Sequence, residues 1–209
     1  MSKDKPTSIV IVDTGCANLS SVWYAVERSG FQATITDDAQ KIKNADKVIL
    51  PGVGSAKHAM NNIRDKGLVE TLQQLTQPVL GFCLGMQLLA SSSQEGNALE
   101  ENAETIACLN IIPVDVVELD SAGLRLPHMG WNNLVNIASH PVLNGLTEED
   151  YVYFVHSFCV PVSEFTIASC DYGKPFSAVI AKNNFIGCQF HPERSSQVGQ
   201  RIIRNFLTM

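Results

Sequence analysis

The segment that most constrains the fold is Pro78-Val79-Leu80-Gly81-Phe82-Cys83-Leu84-Gly85-Met86-Gln87-Leu88-Leu89-Ala90. A buried apolar strand turns abruptly into an apolar helix, and Cys83 occupies the corner. Glycines two residues to either side let strand and helix approach closely, because neither carries a Cβ. The corner residue is then expected in a strained conformation that lifts its side chain above the sheet, in the pattern of a G-x-C-x-G nucleophile elbow. The rest of the first half agrees with such a sheet. Short apolar runs alternate with helical patterns at Ser8 to Val12, Leu19 to Ser29, Gln32 to Ile35, Lys47 to Leu50, Leu68 to Leu75 and Pro78 to Phe82, which is the order of βαβ units. In the first helix Leu19, Val22, Trp23 and Val26 share one face, and Asn18 stands at the N-cap.

The second half changes character. Ile111 to Leu119, Tyr151 to Val155, Phe165 to Cys170 and Phe176 to Ala181 read as successive strands that extend the sheet in antiparallel fashion. Lys182-Asn183-Asn184 separates two such runs, and asparagine tolerates the positive φ of a tight hairpin, so the following strand delivers the chain to His191. Val198, Ile202, Ile203 and Phe206 predict a closing amphipathic helix capped near Ser195 or Ser196. With 209 residues, 45% hydrophobic and 17% charged, the expectation is one well-filled α/β domain over residues 1–209.

Composition excludes several classes of partner. A net charge of −6 without basic runs supplies no footprint for nucleic acid or an anionic membrane. No apolar run approaches a bilayer span and the N-terminus lacks a signal-peptide pattern, so a cytoplasmic protein is expected. Cys16, Cys83, Cys108, Cys159, Cys170 and Cys188 contain no CxxC pair, which predicts neither a metal site nor a disulfide scaffold. Most should be reduced core fillers.

Cys83 is the exception because of its setting. Beside a helix start, free backbone N–H groups favour negative charge on sulfur. A thiolate nucleophile needs a base that also protonates the leaving group, and the base needs an orienting partner. His191-Pro192-Glu193 offers both, with the proline forcing an extended turn that aims imidazole and carboxylate at the elbow. Of the other histidines, His58, His128, His140 and His156, the one before Pro141 reads as structural or solvent-facing. A tetrahedral intermediate also needs backbone donors. The strand Lys47 to Leu50 runs into Pro51-Gly52-Val53-Gly54, where two glycines allow a peptide N–H to turn inward beside that of Leu84. No phosphate-binding or dinucleotide-binding loop is present, so whatever accepts the product of this chemistry is handled by another protein.

These residues resemble the class I (triad) glutamine amidotransferases, and more narrowly the glutaminase subunits of imidazole glycerol phosphate synthase. The likeness runs through Val12 to Leu19, Pro51 to Gly54, Gly81 to Leu89, Gln94-Glu95-Gly96, Pro127 to Asn132, Tyr153 to Phe158 and Gly187 to Ser195 in family order. It implies a flavodoxin-like sheet, mostly parallel with an antiparallel extension, a triad of Cys83, His191 and Glu193, and an oxyanion hole from Gly52, Val53 and Leu84. It also implies that Gly54, Gln87, Glu95, Ser157 and Phe158 cradle glutamine, and that no cofactor or metal is used. Ammonia would pass to a (β/α)8-barrel cyclase partner in a heterodimer, giving imidazole glycerol phosphate and an aminoimidazole carboxamide ribonucleotide in histidine biosynthesis. The Asp13 to Asn18 loop, Trp131 and Arg194 match positions near that partner. Thr14 and Ala17 depart from the Tyr and Gly of the commonest family pattern, which touches the detail of this loop. A glutaminase serving another pathway and a non-catalytic regulator of the same fold are the alternatives.

Overall fold

The computed structural model describes residues 7–15, 18–95 and 105–209, so Cys16, Ala17 and Gly96 of the motifs above lie outside the described residues. Its centre is a seven-stranded sheet. The first strands and helices are β1 (Ile9–Val12), α1 (Leu19–Arg28), β2 (Ala33–Thr36), α2 (Ala39–Lys43), β3 (Lys47–Leu50), α3 (Ala56–Asp65), α4 (Val69–Gln73), β4 (Val79–Phe82) and α5 (Leu84–Gln87). Three short strands follow, β5 (Ser92–Ser93), β6 (Ile106–Ala107) and β7 (Asp115–Glu118), then the longer β8 (His128–Asn133) and β9 (Tyr151–His156). The chain closes with β10 (Phe158–Cys159), β11 (Thr166–Tyr172), β12 (Lys174–Lys182), β13 (Phe185–Cys188) and α6 (Ser196–Thr208). The strand order is β11-β12-β13-β4-β3-β1-β2. From β13 to β2 every pairing is parallel, and β12 and β11 add the antiparallel edge.

β1, β3, β4 and β13 are buried at every position, which is why they read as apolar runs, broken only by Lys47 at the start of β3. Alternate residues serve opposite layers. Ile9, Ile11, Ile49, Leu80, Phe82 and Ile186 pack with Val22 and Val26 of α1 and with Ile202, Ile203 and Phe206 of α6. On the other face Val10, Val12, Val48 and Leu50 meet Ile42, Ala59, Met60, Ile63 and Leu72 of α2, α3 and α4. The helices α2 and α3 are additional to the elements expected from sequence. Their caps are legible all the same: Asp38 accepts from Gln40 and Lys41, and Ser55 from His58.

Three expectations need correction. Only the runs within β11 and β12 extend the main sheet. Tyr151 to His156 pairs with β8 in a two-stranded ribbon, and its alternating burial suits a strand covered on one face rather than one buried on both. Within Ile111 to Leu119 only Asp115–Glu118 is a strand, in a small sheet ordered β10-β7-β5-β6, because Pro113 has no N–H for a ladder. The helix after Cys83 is one turn long, and the loop from Leu109 to Ile112 takes over the carbonyls of Leu88, Leu89 and Ala90. The hairpin at Asn183 and Asn184 forms as expected, with Asn183 at φ 54°.

Candidate active site

The C-terminal ends of β3, β4 and β13 meet at Cys83. Its backbone adopts φ 51° and ψ −110°, a costly conformation for a residue with a side chain, and the surroundings enforce it. The Cys83 N–H donates to the Cys188 carbonyl at 2.7 Å, while its own carbonyl accepts from Met86 and Gln87 at 3.0 and 3.2 Å. The glycines act by close approach. A Cβ on Gly81 would lie 2.7 Å from the Gly85 carbonyl carbon, and one on Gly85 would collide with the Leu50 carbonyl. Strand, elbow and neighbouring strand therefore touch backbone to backbone, leaving Cys83 as the side chain that projects at the corner.

After β13 the chain carries His191 into a single 3-10 turn, Pro192–Arg194, rather than the extended turn expected of Pro192. The turn brings Glu193 Oε1 to 2.8 Å from His191 Nδ1, with both side chains almost wholly buried. Nδ1 is thus committed to the carboxylate, and Nε2 is left for the Cys83 sulfur. Burial by itself lowers the pKa of His191, but hydrogen bonds to Cys83 and Glu193, together with their charges, outweigh it and hold the proton on the ring above the ordinary range. Ser195 fixes the same turn. Its hydroxyl donates to the His191 carbonyl at 2.7 Å and accepts from the Tyr153 N–H at 2.9 Å. It occupies the N-cap position of α6 without a side-chain capping bond.

A cavity of about 230 Å³ opens above the sulfur, lined by Val53, Gly54, Cys83, Leu84, Gln87, Glu95, Val155, His156, Ser157, Phe158 and His191. Nine of these were singled out from sequence; Val155 and His156 were not. Glu193 stands behind His191, and Gly52 packs against the Leu84–Gly85 backbone rather than on the cavity wall. At one end the Glu95 carboxylate accepts from the Ala56 N–H at 3.1 Å; burial raises its pKa, against the lowering effect of that bond. Gln87 Nε2 donates to the Phe158 carbonyl at 3.0 Å, fixing the opposite wall. A larger depression around Ile137 to Glu148 offers no nucleophile with a base. His140 there caps its own turn by accepting from the Val142 N–H.

The remaining cysteines behave as core. Cys108, Cys159, Cys170 and Cys188 are buried and free, and burial pushes the first three thiols up to about 12. Cys16 lies outside the described residues. Among the described residues no group of three potential ligands gathers as a metal would require, and no helix is long and apolar enough to cross a membrane.

The β8–β9 ribbon roofs the site, with the Val155 carbonyl 3.9 Å from the sulfur. On its underside His128 Nδ1 and His156 Nε2 are 3.2 Å apart, and His156 Nδ1 lies 2.9 Å from the Phe158 carbonyl. A carbonyl only accepts, so His156 carries its proton on Nδ1 and receives that of His128 on Nε2. Both rings are neutral: burial lowers His128 to about 4, and burial with repulsion from His128 lowers His156 to about 3, against the raising effect of the Phe158 carbonyl. Stability from this pair is complete above the unfolded histidine pKa near 6.5, and is lost as pH falls toward 4, because the unfolded chain binds protons that the folded chain refuses. Replacing His128 with Phe removes one such proton. Between pH 6 and 4.5 the slope of unfolding free energy against pH should flatten by about 1.4 kcal/mol per pH unit. Urea titrations across that range measure it, and an unchanged slope would refute the neutral assignment.

The outer face of the ribbon is exposed and apolar, with Met129, Trp131 and Tyr151 each more than half exposed. Trp131 rests edge-on against Tyr153. Asn18 caps α1 by accepting from Ser21, and Arg194 is exposed on the 3-10 turn. All three belong to segments that follow or roof the C-terminal ends of the parallel strands.

With this geometry in place, the class follows. The chain belongs to the class I glutamine amidotransferases, whose family profile, "Glutamine amidotransferase class-I", matches residues 10–209. A solved structure of PurLQS from Thermotoga maritima shares the fold, with TM-score 0.73 and 16% identity over 98% of this chain and 99% of that one. The nearer likeness is to the imidazole glycerol phosphate synthase subunit HisH. The protein of that name from Colwellia psychrerythraea is 62% identical over 96% of this chain and 92% of its own length. The one from Shewanella loihica is 53% identical, over 96% and 90%.

Proposed function

We propose that this chain is the glutaminase subunit of an imidazole glycerol phosphate synthase, folded as a single domain over residues 1–209 and using Cys83, His191 and Glu193 as its catalytic residues. The observation that carries the reading is the meeting of a strained Cys83, a doubly held His191 and the Glu95 carboxylate around one cavity of about 230 Å³. Glutamine enters with its α-amino group toward Glu95 and its amino-acid end along Gln87, Gly54 and the Ser157–Phe158 backbone. Its side-chain carboxamide then faces the sulfur.

The sulfur attacks the carboxamide carbon and the C=O electron pair moves to oxygen. That oxyanion is received by backbone N–H groups of the Gly52-Val53 segment and of Leu84. His191 gives its proton to the nitrogen, the C–N bond breaks, and ammonia leaves a γ-glutamyl thioester on Cys83. Water then attacks the thioester, His191 takes its proton, and the C–S bond breaks to release glutamate. Glu193 keeps the imidazole in the tautomer that points Nε2 at the sulfur throughout.

Ammonia is mostly protonated in neutral water and is then no nucleophile, so its consumer must dock over the site. The exposed Trp131, with Asn18 and Arg194, marks the docking face for a (β/α)8-barrel cyclase that makes imidazole glycerol phosphate and aminoimidazole carboxamide ribonucleotide in histidine biosynthesis. The proposed setting is the cytoplasm, with neither nucleic acid nor membrane as partner. Mixing the chain with that cyclase, and in parallel with the synthases of other glutamine-dependent pathways, tests the reading. Glutamine-dependent product should form with the cyclase alone. Product with a different synthase and none with the cyclase would reassign the pathway. Trp131→Ala is expected to weaken the complex about ten-fold to a hundred-fold in titration calorimetry, as loss of an exposed aromatic anchor does. Unchanged affinity would move the interface elsewhere.

A further inference from the structure

Gln189 lies two residues before His191, is completely buried, and its amide nitrogen is 3.8 Å from Cys83 Sγ. The orientation of that amide follows from its neighbours. The Phe158 carbonyl can only accept, so the group facing it at 3.0 Å is the Gln87 NH2. The same NH2 is 3.0 Å from the Gln189 side chain, which must therefore present its oxygen, Oε1, there. Turning the Gln189 amide over would set two NH2 groups against each other in a place closed to water. Its NH2 is left facing the sulfur. The sulfur's other close polar neighbour on this side, the Val155 carbonyl, can interact only with a protonated thiol. A donor favours the anionic sulfur and an acceptor the thiol, so of these two neighbours Gln189 is the one that favours the attacking form.

We propose that Gln189 is a positioning residue of the glutaminase reaction, donating an N–H···S hydrogen bond that holds Cys83 as an anionic acceptor aimed into the substrate cavity. The proposal rests on Cys83 being the nucleophile. Gln189 makes no contact with the cavity itself, since it is absent from the cavity wall. It acts through Cys83 and is anchored through Gln87 to the Phe158 backbone.

The titratable groups facing the sulfur are His191 from the turn after β13, His156 from β9 and Glu95 across the cavity, with Glu193 behind His191. None is altered by Gln189→Met, which keeps the volume and removes the donor. In the full chain, alkylation of Cys83 by iodoacetamide, followed on the Cys83 peptide by mass spectrometry, should show its acid limb about one pH unit higher in Gln189→Met. The rate below that limb should fall about ten-fold, the size expected for a hydrogen bond to a charged group. With the cyclase present, kcat should fall by a similar factor and KM for glutamine change less than about two-fold. An unchanged limb in a variant that melts like the parent overturns the proposal. A second measurement needs no change at Gln189: the Gln189 side-chain NH2 protons, observed by NMR, should shift with the same acid limb in the parent and stop responding in Cys83→Ala. Identical titration of these protons in both proteins also overturns it. Glutaminase turnover surviving in Cys83→Ala would instead defeat the assignment of the nucleophile.

Discussion

On the proposed function, Cys83→Ala, in the full chain mixed with the proposed cyclase, is expected to abolish glutamine-dependent product while leaving product made from added ammonium salt intact. The reason is that the substitution removes one atom of chemistry and little packing. The elbow is held by backbone bonds from Cys83 to Cys188, Met86 and Gln87, none of which involves the sulfur. Removing the nucleophile of a triad costs about 10⁴-fold or more, because base and oxyanion donors have nothing to act on. Alanine at φ 51° is strained no more than cysteine is there. The proposed docking face and the chemistry of the proposed partner stay as they were. Coupled assays with glutamine and with ammonium salt separate the two outcomes. Glutamine-dependent turnover within about ten-fold of the parent would sink the assignment of Cys83.

The second large effect is on folding. Gly85→Ala places a methyl group into the Leu50 carbonyl, a backbone group at the C-terminal end of β3, whose Leu50 is in register with Gly81 of β4. No rotamer relieves that contact, so either α5 must leave β3 or the proposed oxyanion segment after Leu50 must shift. Overpacking against rigid backbone costs about 3 kcal/mol, a large part of the roughly 5–15 kcal/mol that a domain of this size has. Urea unfolding should show a much lower midpoint, and whatever folded protein remains should react poorly at Cys83, since the same shift displaces the elbow. A melting temperature unchanged from that of the parent would show that helix and strand backbones do not meet this closely. Gly54 makes a useful contrast. A Cβ there meets nothing within 4 Å, and the cost of a substitution comes from its φ of 94° alone.

Much of this architecture was legible because the signals are local. Parallel strands buried on both faces are apolar at nearly every position, so β1, β3, β4 and β13 declare themselves as runs, with Lys47 at the start of β3 the exception. The two-glycine spacing around Cys83 and the His191-Pro192-Glu193 triplet are likewise continuous in sequence. The ribbon of β8 and β9 was harder. His128–Asn133 carries polar residues at half its positions, and Tyr151–His156 has the same composition whether it joins the main sheet or a partner strand outside it. The helices α2 and α3 were legible in their caps but mostly polar, so their short apolar stripes were outweighed.

Gln189 shows where sequence reading stops. It sits in plain view between Cys188 and Phe190, yet a glutamine at a strand end has no distinctive pattern. Its role depends on which way its amide is turned, and that is set by Gln87 and by the carbonyl of Phe158, both far from it along the chain. His156 and Val155 entered the cavity wall for the same reason: only the folded ribbon lays them over the sulfur. The class of fold could be read from the chain alone, and so could the residues proposed as nucleophile and base, because each is encoded by adjacent residues and by apolar periodicity. The cavity, the neutral histidine pair, the amide that faces the sulfur and the exposed ribbon emerge only on folding. Those depend on distances between segments far apart in sequence, which no local pattern records.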